Sequence, residues 1–123
     1  METYLAYWRD RLAEQQTRQR QLRQQVRSEI TQMVSLLIDQ FGAARIILFG
    51  SFVKGTFTPE SDIDLAVEGI APAHYFVALA AVNHLTGRWV DLKPLEAMSS
   101  HFRQRVLATG EIMYESHVSE CPA

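Results

Sequence analysis

From Glu2 to Gln40 the chain contains neither proline nor glycine, the two residues that most readily end a helix. Apolar side chains recur at Leu5, Trp8 and Leu12, then at Leu22, Val26, Ile30, Met33, Val34, Leu37, Ile38 and Phe41, in steps of three and four. Those steps put them along one face of an amphipathic helix. Glu14 to Gln21 is wholly polar and rich in Gln and Arg, the one place where the pattern could fray, and the spacing predicts a single long helix running through it. Gly42 follows in the position where a left-handed C-terminal residue is favoured. With so much of the chain used in one helix, little is left for a sheet, which must be small.

The rest of the chain alternates between the two periods. Arg45-Ile46-Ile47-Leu48-Phe49 is short, apolar and rich in β-branched residues, and it reads as a buried strand. Gly55, Thr56, Thr58 and Pro59 mark a loop. Ser61 to Glu68 alternates with period two and so predicts a second strand, apolar on one face and acidic on the other. Pro72 opens a helix to about Thr86, Arg88 to Leu95 alternates as a third strand, and a helix from about Ser99 to Thr109 stops at Gly110 before an extended Glu111 to Glu115. This order predicts an α+β domain whose small mixed sheet is covered by helices on one side. The expected organisation is a helical segment over 1–41 packing on a core over 42–115, then a tail over 116–123.

At 123 residues the chain suits one domain, and folding at that size buries roughly two-thirds of the surface the unfolded chain exposes. The formal net charge of −2 argues against a general nucleic-acid or membrane binder, which carries a marked positive excess. The charge is unevenly spread. Met1 to Arg27 holds six arginines against three acids, for +3, whereas Ser28 to Ala123 holds six basic and eleven acidic residues, for −5. Cys121 is the single cysteine, so no intramolecular disulfide or thiolate metal site is available. Without a signal-like start or a membrane-length apolar run, a cytoplasmic location is expected.

Asp62 and Asp64 stand two apart on a predicted strand, so both carboxylates project from one face while Ile63, Leu65 and Val67 project from the other. Two carboxylates about 6–7 Å apart at an effective dielectric near 20 repel by roughly 2–3 kcal/mol, a cost that a divalent cation reverses. Oxygen-only ligands with open positions suit Mg²⁺ together with the phosphates of a nucleotide. Asp91, within Trp89-Val90-Asp91-Leu92-Lys93, supplies a third acid from another strand. Taken alone, an Asp-x-Asp strand is usually a solvated face. Gly50-Ser51 alters that weighing, because it ends a buried strand and leaves ten residues between Ser51 and Asp62. Gly50 permits close approach of a phosphate to the backbone, and Ser51 offers a hydroxyl and an N–H.

The segment Leu48-Phe49-Gly50-Ser51-Phe52-Val53-Lys54-Gly55, continuing to Ser61-Asp62-Ile63-Asp64-Leu65, resembles the signature of the polymerase-β-like nucleotidyltransferase superfamily. It is most similar to minimal nucleotidyltransferases (MNT), antitoxins paired with HEPN-type toxins. The resemblance runs from about Ile38 to Tyr114, with Val90-Asp91-Leu92 as the third-acid strand. It implies a polymerase-β-like core, ATP as substrate, two Mg²⁺ ions, and transfer of AMP to a tyrosine of a partner RNase toxin. It further implies Asp62 and Asp64 as ligands to both ions and Asp91 as the third ligand, beside the acceptor hydroxyl. Gly50 and Ser51 would hold the β- and γ-phosphates. Position 54 is commonly Arg in the family and is Lys54 here, which keeps a point charge and loses a bidentate grip. Lys54, and behind it Lys93, are phosphate contacts on this reading. Two alternatives stand beside it, an antitoxin acting by occlusion alone and a transferase for a small molecule.

Other residues carry less. His74, His84, His101 and His117 lack metal-like spacing and read as surface positions. Trp89 shares the predicted face of Asp91, but core packing is the expectation. Leu5, Trp8 and Leu12, among the arginines, form a stripe that a small sheet cannot cover, suited to self-association or to docking a toxin.

Overall fold

The computed structural model describes residues 2–116. They form four helices and a four-stranded sheet, with α1 at Glu2–Phe41, β1 at Arg45–Phe49, α2 at Ser51–Lys54, β2 at Ile63–Glu68, α3 at Tyr75–His84, β3 at Val90–Pro94, α4 at Ser100–Thr109 and β4 at Glu111–Glu115. The long helix is unbroken through the polar stretch, and it ends as the sequence predicts. Gly42 takes φ 68°, and the N–H groups of Gly42 and Ala43 donate to the Ile38 and Leu37 carbonyls, both at 3.1 Å.

The chain divides into two compact units, one up to Thr31 and one from Gln32 onward, so the boundary falls inside α1. In the first unit Tyr4, Leu5, Tyr7, Trp8 and Leu12 are all exposed, with Trp8 edge-on to both tyrosines. All of the strands and every candidate site residue lie in the second unit.

The sheet order is β3-β2-β1-β4. β1 runs antiparallel to β2 and β4, and β2 runs parallel to β3, so the sheet is mixed. β1 is apolar after Arg45 because it is an interior strand with Ile46, Ile47, Leu48 and Phe49 buried on its two faces. β2 buries Ile63, Leu65 and Val67 on one face and turns Asp64, Ala66 and Glu68 to the other.

Helix α4 lies on that acid-bearing face. Its Val106 joins Ile47, Phe49, Ala66 and Leu95 in a buried cluster, and all three strand residues share the face of Asp64 by alternation and register. Two devices set α4 there. Ser99 caps it by accepting from the Phe102 N–H, and Arg103 donates to Glu68 Oε2 at 3.3 Å, where Arg45 also donates to both carboxylate oxygens at 3.1 Å. The ion cluster occupies the far end of the face and leaves the end bearing the aspartates open.

Some boundaries differ from the sequence reading. Pro72–His74 is a separate 3-10 turn before α3, and α3 ends at His84, short of Thr86. Ser116, expected to begin the tail, donates its N–H to the Ala44 carbonyl at 2.8 Å. The remainder of the expected tail, with His117 and Cys121, lies outside the described residues.

Candidate active site

The open end of the acid-bearing face is built by three strand ends and one turn. β1 stops at Phe49, and Gly50 turns the chain into the single helical turn of α2 with φ 81° and ψ −151°, a conformation essentially restricted to glycine. Space demands glycine as well, since a Cβ there would collide with Oδ2 of Asp64. Phe49 and Asp64 are cross-strand partners, so the turn lies directly against the carboxylate. Phe52 of α2 and Phe57 of the following loop are fully buried and meet edge to face, 5.3 Å between centroids, which anchors both ends of the turn beneath Ser51 and Lys54.

Asp64 and Asp91 are register partners on the parallel strands. Asp62 precedes β2 and is exposed. Asp64 is half-buried, and its carboxyl is held above the ordinary carboxylate range first by burial and then by the charge of Asp91, with Asp62 adding less; Lys93 and Lys54 pull the other way. Asp91 itself is paired with Lys93, whose Nζ lies 3.3 Å from Oδ2. That ammonium also sits over the rings of Phe49 and Phe102, 5.9 and 5.6 Å from their centroids. The structure thus brings together Gly50, Asp64 and Asp91, with Lys54 and Lys93 near enough to Asp64 to act on its charge.

No group of three or more His, Cys, Asp or Glu side chains is gathered for a cation among the described residues. The donor chemistry nevertheless suits a hard divalent ion. The candidate ligands are carboxylate oxygens, two of the acids stand in register on adjacent strands, and the carboxyl of Asp64 is raised by burial and by the charge of Asp91, a cost that a cation offsets.

Several neighbours were not legible in the sequence. Tyr75, at the start of α3, has its phenol pushed up by burial and by the Asp91 carboxylate. Asn83 donates to the Val90 carbonyl at 3.0 Å and accepts from the Val90 N–H at 2.8 Å, covering the free edge of β3 one residue before Asp91. An Asn in an otherwise apolar helix, where it is a poor helix former, is the only signal that marks it. Arg105 and Phe102 border Gly50 only because α4 crosses this face. Trp89, expected in the core, is 61% exposed; it precedes β3, and its carbonyl accepts from the Ile63 N–H while its ring lies outside. His74, His84 and His101 are exposed as expected. A hollow of about 380 Å³ is lined by Ile70, Pro72, Tyr75, Phe76 and Pro94, and by none of the aspartates.

The family described as polymerase beta, nucleotidyltransferase matches residues 16–118. The chain belongs to this family. The resemblance drawn from Gly50-Ser51 and the aspartates is thereby borne out, and this nucleotidyltransferase domain also has solved structural neighbours. A toxin–antitoxin structure with AMP-PNP is 26% identical, covers 75% of this chain and 77% of its own, and superposes with a TM-score of 0.63. A structure described as a minimal nucleotidyltransferase is 25% identical, covers 72% and 93%, and gives a TM-score of 0.64. The complex of a tri-AMPylated Shewanella oneidensis HEPN toxin with its MNT antitoxin is 21% identical, covers 80% and 76%, and gives 0.56, a likeness of fold. A search of the curated proteins found no match. No helix among the described residues is long and apolar enough to cross a membrane.

Proposed function

We propose that this nucleotidyltransferase domain is an antitoxin that transfers AMP from ATP to a tyrosine hydroxyl of a HEPN-type toxin. The observation that carries the reading is the Gly50 turn lying against Asp64, with Asp91 in register beside it, in a chain of this family. The AMP-PNP in the 26%-identical toxin–antitoxin structure supports ATP as the donor.

On this reading Gly50 and Ser51 cradle the phosphate tail, and Lys54 adds a positive charge. Asp62, Asp64 and Asp91 would hold two Mg²⁺ ions, which would offset charge on the triphosphate and make the acceptor hydroxyl more acidic. The acceptor oxygen forms a bond to the α-phosphorus, the bond from that phosphorus to the bridging α–β oxygen breaks, and pyrophosphate leaves with the electron pair. The hydroxyl proton passes to a carboxylate oxygen of Asp91. Lys93, whose Nζ lies 3.3 Å from Asp91 Oδ2, holds that carboxylate in position. A bound divalent ion would offset both the burial and the Asp91 charge that hold the Asp64 carboxyl above its ordinary range.

The exposed aromatic and arginine-bearing stretch of the first unit, with Leu5, Trp8 and Leu12 at its centre, is the surface we assign to toxin docking or self-association. The activity is tested by incubating the protein with ATP labelled at the α-phosphate, Mg²⁺ and a HEPN-type partner. Label on the partner is expected. Label from the γ-phosphate instead would indicate phosphoryl transfer and overturn the reading.

A further inference from the structure

Beside Gly50, on the side of α4, a cleft of about 110 Å³ is lined by Phe49, Gly50, Lys54, Phe102, Arg105, Val106 and Thr109. At roughly 30 Å³ for each water, it has room for a group the size of a phosphate. Its chemistry is uneven in a useful way. Phe49, Phe102 and Val106 make an apolar floor, Gly50 leaves one wall without a side chain, and the two cationic side chains reach it from different elements, Lys54 from α2 and Arg105 from α4. Thr109 contributes no donor, because its hydroxyl already donates to the Arg105 carbonyl at 2.7 Å. The cleft therefore offers cationic N–H donors over a low-dielectric floor, which favours an anion with several acceptor oxygens.

We propose that Arg105 grips the terminal phosphate of the nucleoside triphosphate, supplying from α4 the planar two-pronged contact that Lys54 cannot make from α2. The assignment rests on the nucleotidyltransferase reading for the position of the nucleotide. Its own support is the cleft. An ammonium is a point charge, whereas a guanidinium presents paired N–H groups that match two phosphate oxygens. Of the acids on this face, Glu68 is held by Arg45 and Arg103 and Asp91 by Lys93. The Ser99 cap and the Arg103–Glu68 pair hold α4, the helix from which Arg105 reaches the cleft beside Gly50. Arg105 is then a residue that reads the length of the phosphate tail and separates triphosphate from monophosphate.

The test is calorimetric titration of the full chain with ATP, AMP and inorganic tripolyphosphate in Mg²⁺, for wild type, Arg105→Gln and Arg105→Lys. Arg105 is exposed, and circular dichroism with a thermal melt checks that the variants are folded. The expected result is at least a tenfold loss of ATP and tripolyphosphate affinity in Arg105→Gln, the scale of one lost charge-assisted contact, partial retention in Arg105→Lys, and AMP binding unchanged. Equal affinity of wild type and Arg105→Gln for ATP would overturn the assignment while leaving the transferase reading in place. Equal loss for AMP and ATP would also overturn it. Arg105-dependent tripolyphosphate binding in a protein that labels no acceptor would uphold the assignment and sink the transferase reading. A wild type that binds neither triphosphate would end both.

Discussion

At Gly50 two separate demands meet, a backbone conformation essentially closed to side chains and a carboxylate oxygen where a Cβ would stand. Gly50→Ala should therefore lower stability by about 1–3 kcal/mol from strain alone, with the clash on Asp64 adding to it, and denaturant unfolding measures the sum. The sequence showed that a glycine and three acids recur at meaningful spacings. It did not show that the glycine touches one of the acids, because that contact depends on the β1–β2 register. Asp64 carries a second prediction. Its carboxyl is held above the ordinary range in the folded protein, so the folded state binds more protons than the unfolded one between roughly pH 4, the unfolded value, and the raised value. The contribution of Asp64 to stability without divalent cation therefore falls as pH rises through that window. Asp64→Asn should flatten that slope in urea unfolding at a series of pH values, and an unchanged slope would refute the assigned burial.

At the scale of elements, the long helix, the four strands and the last helix follow from period, glycine placement and the Ser99 cap, and the sequence located each of them to within a few residues. The side of the sheet that α4 covers was not legible. Val106 and Leu95 look like any core residues, and the Arg45–Glu68–Arg103 cluster that ties α4 to this face joins residues far apart in the sequence. Trp89 was misjudged for a related reason, since alternation gives a residue's parity but not whether anything covers it at a sheet edge. Asn83 shows the converse, a polar residue within a helix whose amide replaces a missing strand neighbour at Val90. Truncating it strands a donor and an acceptor at about 1–3 kcal/mol for each buried group left unpaired. Asn83→Ala should lower the unfolding midpoint and loosen β3 at Asp91, seen as faster amide exchange at Val90. Unaltered exchange there would remove Asn83 from the support of the site.

For the molecule as a whole, the charge separation read from the sequence has a structural counterpart. The arginine-rich stretch belongs largely to the first compact unit, and the acids and phosphate-sized cleft belong to the second. On the proposed function, this division would separate partner contact from nucleotide chemistry. The central claim is that the aspartates drive covalent transfer to the partner. The most direct measurement is the intact mass of a HEPN-type toxin co-expressed with wild type or with the Asp62→Ala, Asp64→Ala double variant. The account predicts a toxin heavier by whole adenylyl groups beside wild type and unmodified beside the variant. A toxin modified equally by both would contradict it.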